Sequence, residues 1–433
     1  MSLGNPGALA EGGAGRGVRG RALSIPRDRV IALDEGDPLA STLDDLLLMP
    51  GVTYLAGHSL GRPTAAAAAR VGEVVTSEWA GLGVAAWERW AERMVLVADE
   101  LATVALGARS GEVVVGESTT IELYQLVAAA AAARPDRRVL VGVAEDFPTD
   151  RYVLDGIAAR LGLEVRRAEA GPFEAGGDPA GAVAALESVL DEHVCVAVVP
   201  HVHFRSAAVA DLALLASAAH RVGALLLVDS SHGVGAVPLD LDDAGVDLAV
   251  GATYKHLCAG PGAPAFAFVR AGLVEELMPP IWGWWAHETP FAMRAGFAPQ
   301  DGVRRFQPGT PPVVATAGLA AAVAHLGAVG LAQARGRGIA LGALALELAA
   351  EDLAPRGFSV VGPDAADLRG AHLTLSHPRA AELVEALAIR GVMVDHRPPS
   401  VVRVGMTPLA TRFVEVWDGM AALAAAADTL AAT

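Results

Sequence analysis

From Val113 onward the chain repeats one pattern: short aliphatic and β-branched runs without polar alternation, each followed by an alanine- and leucine-rich stretch. The runs are "EVVVGE", "RRVLVGVA", "HVCVAVVP", "GALLLVDSS", "VDLAVGA" and "APAFAFVR", with "RYVLDGIAARLG" and "AAVADLALLASAAHRVG" among the helical stretches between them. A strand that presents no polar face has to be covered on both sides, and helices alternating with strands do this around a largely parallel sheet. The pattern therefore predicts an α/β fold. It changes after "GTPPVVATAGLAAAVAHLG", where a long helical region (about 313–354) leads into "GFSVVG", "AHLTLSH", "VMVDHRPP" and "VVRVGMTP", a smaller α+β unit. We expect a disordered tail over 1–30, an arm over 31–75, a large domain over 76–320 and a small domain over 321–433.

With 433 residues the chain is long enough for such a division. Its net charge of −16 with scattered basic residues gives no positive stripe, which argues against a nucleic-acid partner. Two cysteines, Cys195 and Cys258, point to a reduced, cytoplasmic protein without a disulfide framework. "LVAAAAAA" (126–133) is too short to span a bilayer and reads as a buried helix. The first thirty residues lack the continuous apolar core of a signal peptide.

Within this frame "GATYKHLCAG" places Lys255 where a buried strand meets a tight turn. A buried lysine needs either an ion pair, for instance at a domain seam, or a covalent use. "LLLVDSSHGVGAVPLDL" ends a strand at Asp229, with His232 in the turn, one strand away on the same rim where α/β sheets collect ligands. Pyridoxal phosphate requires such a set: an amine for the Schiff base and a carboxylate to keep the pyridine nitrogen protonated. On the other reading, Asp229 caps a turn and His232 is an ordinary loop residue.

"VVVGESTTIELYQLV" ends a strand at Gly116 and opens a helix around Thr119 and Thr120, a seat for a phosphate on free N–H groups. Thr119 with Glu122 also spells a capping box, which needs no ligand. "EDFPTDRY" puts Phe147 on the rim, where a planar ring stacks on a cofactor, with Asp150 beside it. Equally, Phe147 is a core aromatic and Thr149 or Asp150 caps the next helix. His201 and His203 of "HVHF" alternate on one face but lack a third ligand, so no metal site is expected.

In order, "YLAGHSLGRP", "GESTTIELYQL", "FPTDRY", "DSSHGVGAVPL", "TYKHL", "GWWAHE", "FQPGTPPV" and "VVRVGMTPLATRF" resemble the kynureninases, and the resemblance covers most of the chain from about Tyr54. It implies the fold type I of pyridoxal-phosphate enzymes, as in aspartate and class V aminotransferases, with a mainly parallel seven-stranded sheet. It implies a hydrolase of tryptophan breakdown that cleaves the Cβ–Cγ bond of kynurenine or 3-hydroxykynurenine. Lys255 would carry the cofactor, Asp229 would hold the pyridinium, His232 would lie near the cofactor oxygen, and Phe147 would stack on the ring with Asp150 nearby. Thr119, Thr120 and Tyr254 would serve the phosphate, with Tyr254 also in proton transfer. Trp284 and Thr310 would reach the phosphate from the neighbouring subunit of a homodimer, and Arg403, gripping the substrate carboxylate, and His58 would bind the substrate. On the other reading, Arg403 is a strand residue pairing an acid and the tryptophans of "GWWAHE" merely pack at a subunit interface.

The chain departs from the family at His58 and Asp146, where asparagine is usual, and at Ser230 and Ser231 of "DSSH", where the family has "DLAH" or similar. These departures bear on the substrate. An aminotransferase, an epimerase or a lyase of the same fold, or a catalytically inactive pyridoxal-phosphate-binding protein, are the alternatives. Sulfur transfer fits poorly, because Cys195 falls in a strand and Cys258 three residues after Lys255.

Overall fold

The computed structural model describes residues 23–47 and 49–432. Of the expected tail, 1–22 lie outside the described residues, and the following residues are packed rather than free. Ser24 donates to Asp352 through its backbone N–H (3.0 Å) and its hydroxyl (2.7 Å), and a helix begins at Arg27. Ile25 and Val30 are buried in the small-domain core, which fixes this segment.

After strand β1 (Thr53–Tyr54) and a helical stretch, the large domain forms from seven strands. These are β2 (Val113–Gly116), β3 (Val139–Val143), β4 (Glu164–Ala168), β5 (Val194–Pro200), β6 (Leu225–Asp229), β7 (Leu248–Gly251) and β8 (Ala265–Val269), in the order β2-β8-β7-β6-β5-β3-β4. All neighbours are parallel except β8, which is antiparallel to β7 and β2. Alternate residues supply two cores, one per face: Val139, Val141, Leu226 and Val228 on one side, Leu140, Leu225 and Leu227 on the other. That two-sided burial is why the strands show no polar alternation. β4 is the exception, an edge strand whose Glu164, Arg166 and Arg167 blunt further pairing.

The small domain carries β9 (Ser359–Val361), β10 (His372–Ser376), β11 (Val392–Met393), β12 (Asp395–Arg397) and β13 (Val401–Gly405). Its antiparallel sheet has the order β12-β13-β10-β9, and β1 of the arm pairs with β11. The long helical region is two helices, Val313–Val329 and Leu331–Leu348, that break at Gly330, whose φ of 89° favours glycine. Leu319 and Val323 of the first pack in the large-domain core, whereas Leu341 and Leu344 of the second belong to the small-domain core. No single helix among the described residues is long and apolar enough to cross a membrane.

Candidate active site

Since β3, β5, β6 and β7 run parallel, their C-terminal ends share one rim, and the loops beyond them enclose a cavity of about 630 Å³. That volume suits a small organic ligand. Thr119, Thr120, Phe147, Asp150, Asp229, His232, Tyr254, Lys255 and Thr310 all line it.

Lys255 follows β7 and is 8% exposed. It is the only lysine in the chain; every other one of the 33 Lys and Arg positions is arginine. A guanidinium stays charged and is no nucleophile, whereas an amine loses its proton readily when buried. The count alone thus separates Lys255 from all the other basic residues, a signal the motif reading passed over. Among the described residues the amine pairs with no carboxylate; its Nζ lies 3.1 Å from Nε2 of His232. Burial brings its pKa down to about 8, against the pull of Asp229. The ion-pair alternative is therefore not what the structure contains.

Asp229 ends β6 and accepts the N–H of Ser231 at 2.7 Å. Asp146 and Asp150, both 3% exposed, complete a carboxyl cluster with it. Burial pushes Asp146 up to about 7, and burial with the neighbouring Asp229 and Asp146 holds Asp150 well above the usual carboxylate range. Asp146 also accepts the N–H of Phe147 at 2.7 Å, in the turn where Phe147 precedes the helix Pro148–Leu161. The Phe147 ring centroid lies 5.9 Å from the Lys255 Nζ. Tyr254, on the other side, is 6.0 Å from that atom by the same measure, and burial raises its phenol pKa.

At the opposite end the helix Thr119–Ala133 begins. Its cap residue is Ser118, with no side-chain bond to the helix, so the capping box of Thr119 and Glu122 does not form. Glu122 is instead fully buried, bonded to Gln125 at 3.0 Å and shifted up to about 8 by burial. The first N–H groups of a helix find no partner within it, and here Ser118, Thr119 and Thr120 line the cavity. An uncapped positive helix end, an amine that among the described residues meets no carboxylate, and a carboxylate in one cavity fit pyridoxal phosphate: one part each for phosphate, aldehyde and ring nitrogen.

Other expected residues lie elsewhere. Arg403 is 1% exposed and outside the cavity lining; its Nε and Nη2 donate to Asp395 at 2.9 and 2.7 Å, and Nη1 donates to the Phe204 carbonyl at 2.6 Å. His58 is fully buried near it, with Nε2 3.9 Å from Asp395. Trp284 is also outside the lining, with its indole N–H on Thr310 at 3.3 Å. It joins Trp87, Trp285 and Phe291 in an aromatic cluster. His201 and His203 follow β5 rather than alternate along it, and contact Ser230 and Ser206. Ser118, Asp146, Ser231 and Phe204 line the cavity without having been singled out as site residues. For Asp146 and Ser231 the departures from the family pattern were the available signal.

A family model described as the kynureninase C-terminal domain matches residues 334–423. The kynureninase of Burkholderia pseudomallei (strain 1106a) is 37% identical over 411 residues, covering 93% of this chain and 96% of that protein. The kynureninase of Pseudomonas fluorescens is 35% identical over 402 residues, covering 91% and 94%. Among solved structures, the Escherichia coli cysteine desulfurase CsdA aligns with a TM-score of 0.75 at 20% identity, covering 91% of this chain and 98% of that one. A mutant of the C-DES protein with glycine covalently linked to its pyridoxal-phosphate cofactor aligns at 0.76 and 16% identity, covering 93% and 99%. At these identities the two structures establish the fold alone.

Proposed function

The chain belongs to the kynureninase family, and from that premise we propose that it hydrolyses the Cβ–Cγ bond of L-kynurenine or 3-hydroxykynurenine. The products are L-alanine and anthranilate or 3-hydroxyanthranilate, a step of tryptophan breakdown. The cofactor is pyridoxal phosphate, which when bound supplies an electron-withdrawing ring that stabilises negative charge developing beside the amino group.

Lys255 would be the covalent attachment point and the base at Nζ; burial brings its pKa down to about 8, closer to neutral pH than an ordinary lysine. Asp229 keeps the ring nitrogen protonated, Phe147 packs on the ring with Asp150 close by, and His232 orients the amine. Thr119, Thr120 and Tyr254 hold the phosphate, and Tyr254 hands on protons. Arg403, whose Nε–Nη2 edge is held by Asp395, receives the substrate carboxylate with its remaining Nη N–H groups, near His58. The exposed Trp282, Phe291 and Met293, close to Trp284 in the chain, support a homodimer in which Trp284 reaches the partner's phosphate, whereas Thr310 lines the cavity of its own chain. The two free cysteines agree with a cytoplasmic enzyme.

The observation that carries the reading is the sole lysine, buried without a carboxylate partner on the cavity wall. Product analysis tests it. Incubation of the loaded enzyme with L-kynurenine and 3-hydroxykynurenine yields alanine and the matching aromatic acid in equal amounts. A keto acid or a D-amino acid instead assigns the aminotransferase or epimerase alternative, and cofactor loading without any product assigns an inactive binder.

A further inference from the structure

The side of the small-domain sheet that faces the large domain holds a second polar group of residues. Strand register sets His372 opposite Gly405 and Thr374 opposite Arg403, so these four positions share one face. Thr374 donates to the Arg205 carbonyl and Arg403 to the Phe204 carbonyl, so that face abuts the large domain. Gly405 leaves room that His58 fills: a Cβ there would lie 2.3 Å from His58 Nδ1. The His58 ring stacks on His372 with centroids 5.2 Å apart and 22° between planes, and His372 lies 5.4 Å from His232, the ring that touches Lys255.

His58 and His372 are both fully buried, and among the described residues none of their four ring nitrogens has a hydrogen-bond partner. Burial first, with Arg403 next, holds both well below the usual imidazole range, so each is neutral and carries one N–H. Buried donors without acceptors are costly and rarely kept. Beside them, Asp395 takes one edge of the Arg403 guanidinium and Phe204 one further N–H, which leaves one N–H on each terminal nitrogen. Two arginines, Arg403 and Arg397, face the single carboxylate of Asp395, so the group keeps a net positive charge beside its unpaired donors, which suits a further carboxylate.

We propose that His58 and His372, with the free edge of Arg403, form the pocket that receives the α-carboxylate of the amino-acid substrate. The proposal rests on the reading of Arg403 as the carboxylate-binding residue and adds two donors to it. All three side chains are buried, so the carboxylate enters as the contact between the small-domain sheet and residues 204–205 parts.

Binding measured without turnover tests it. The pyridoxal-phosphate-loaded enzyme is titrated with L-alanine and with L-alaninamide, which lacks the carboxylate charge, following the cofactor absorbance. His58→Leu and His372→Leu each weaken L-alanine about tenfold or more, the scale of a hydrogen bond to a charged group, and leave L-alaninamide unchanged. His58→Asn and His372→Gln, which keep a donor, stay within about threefold of wild type. Unchanged L-alanine affinity in both leucine variants, or equal losses for both ligands, overturns the proposal. A wild-type enzyme that does not prefer L-alanine to its amide overturns the reading of Arg403 itself, and this proposal with it.

Discussion

Nζ of Lys255 lies 3.1 Å from Nε2 of His232, and both groups are buried. Burial and the adjacent lysine hold His232 well below the usual imidazole range, so a neutral ring faces the amine. Among the described residues no carboxylate forms an ion pair with the lysine, and Asp229 and Asp150 act on it only from a distance.

The cost of that arrangement is measurable in the cofactor-free enzyme. With the folded pKa near 8 and the ordinary value at 10.5, the unfolded chain binds more protons between these limits, so stability rises with pH across that window. Below pH 8 the whole cost is present. Lys255→Met accordingly raises apoenzyme stability on the order of 1–3 kcal/mol at pH 7, and the gain fades by pH 10.5. Urea unfolding at pH 7 and pH 10.5 checks this; equal stabilities at pH 7 count against it.

Asp146 has the opposite sign. Its folded pKa of about 7 exceeds the ordinary 3.8, so the folded chain holds the extra proton between these values and stability falls as pH rises through them. Replacing it with the neutral amide, Asp146→Asn, stabilises the apoenzyme at pH 8 on the order of 1–3 kcal/mol and leaves it unchanged at pH 4. Stability curves of the two proteins that run parallel from pH 4 to 8 contradict this.

Arg403 and Asp395 form a buried bidentate pair, with Arg397 also 3.0 Å from Asp395. Arg403→Leu leaves the carboxylate short of its main partner and costs about 3 kcal/mol. The double variant Arg403→Leu/Asp395→Leu recovers most of that stability, yet both variants lose L-alanine binding by tenfold or more. Recovery of binding along with stability in the double variant assigns Arg403 a structural role only.

The exposed aromatic surface yields a prediction about assembly. Trp282 and Phe291 are 65% and 59% exposed in the single chain. Trp282→Asp/Phe291→Asp shifts the protein from dimer to monomer in sedimentation velocity and weakens cofactor retention, because Trp284 no longer serves a partner. A wild-type protein that sediments as a monomer contradicts the shared site.

The sheet was legible because two-sided burial leaves an unmistakable run of apolar residues, and the rim positions Lys255, Asp229 and Thr119 followed from where those runs stop. The domain seam was not legible. The pairing of Arg403 with Asp395 depends on β12 and β13 lying side by side, and the stacking of His58 on His372 joins residues more than 300 positions apart through the bare backbone of Gly405. An acid partner was one of the two readings open for a strand arginine at 403, but local spacing does not name Asp395 and carries no trace of the histidine stack. The capping box misled for a related reason: Glu122 is drawn into the core against Gln125, and sequence spacing alone does not reveal that burial.

Because the chain has one lysine, one measurement addresses the central claim directly. Pyridoxal phosphate is added, the protein is reduced with borohydride and digested, and the peptides are weighed. The account predicts a single cofactor adduct on the peptide containing Lys255, and none in Lys255→Met. A loaded wild-type protein without an adduct at Lys255, or an equal adduct in the Lys255→Met protein, contradicts it.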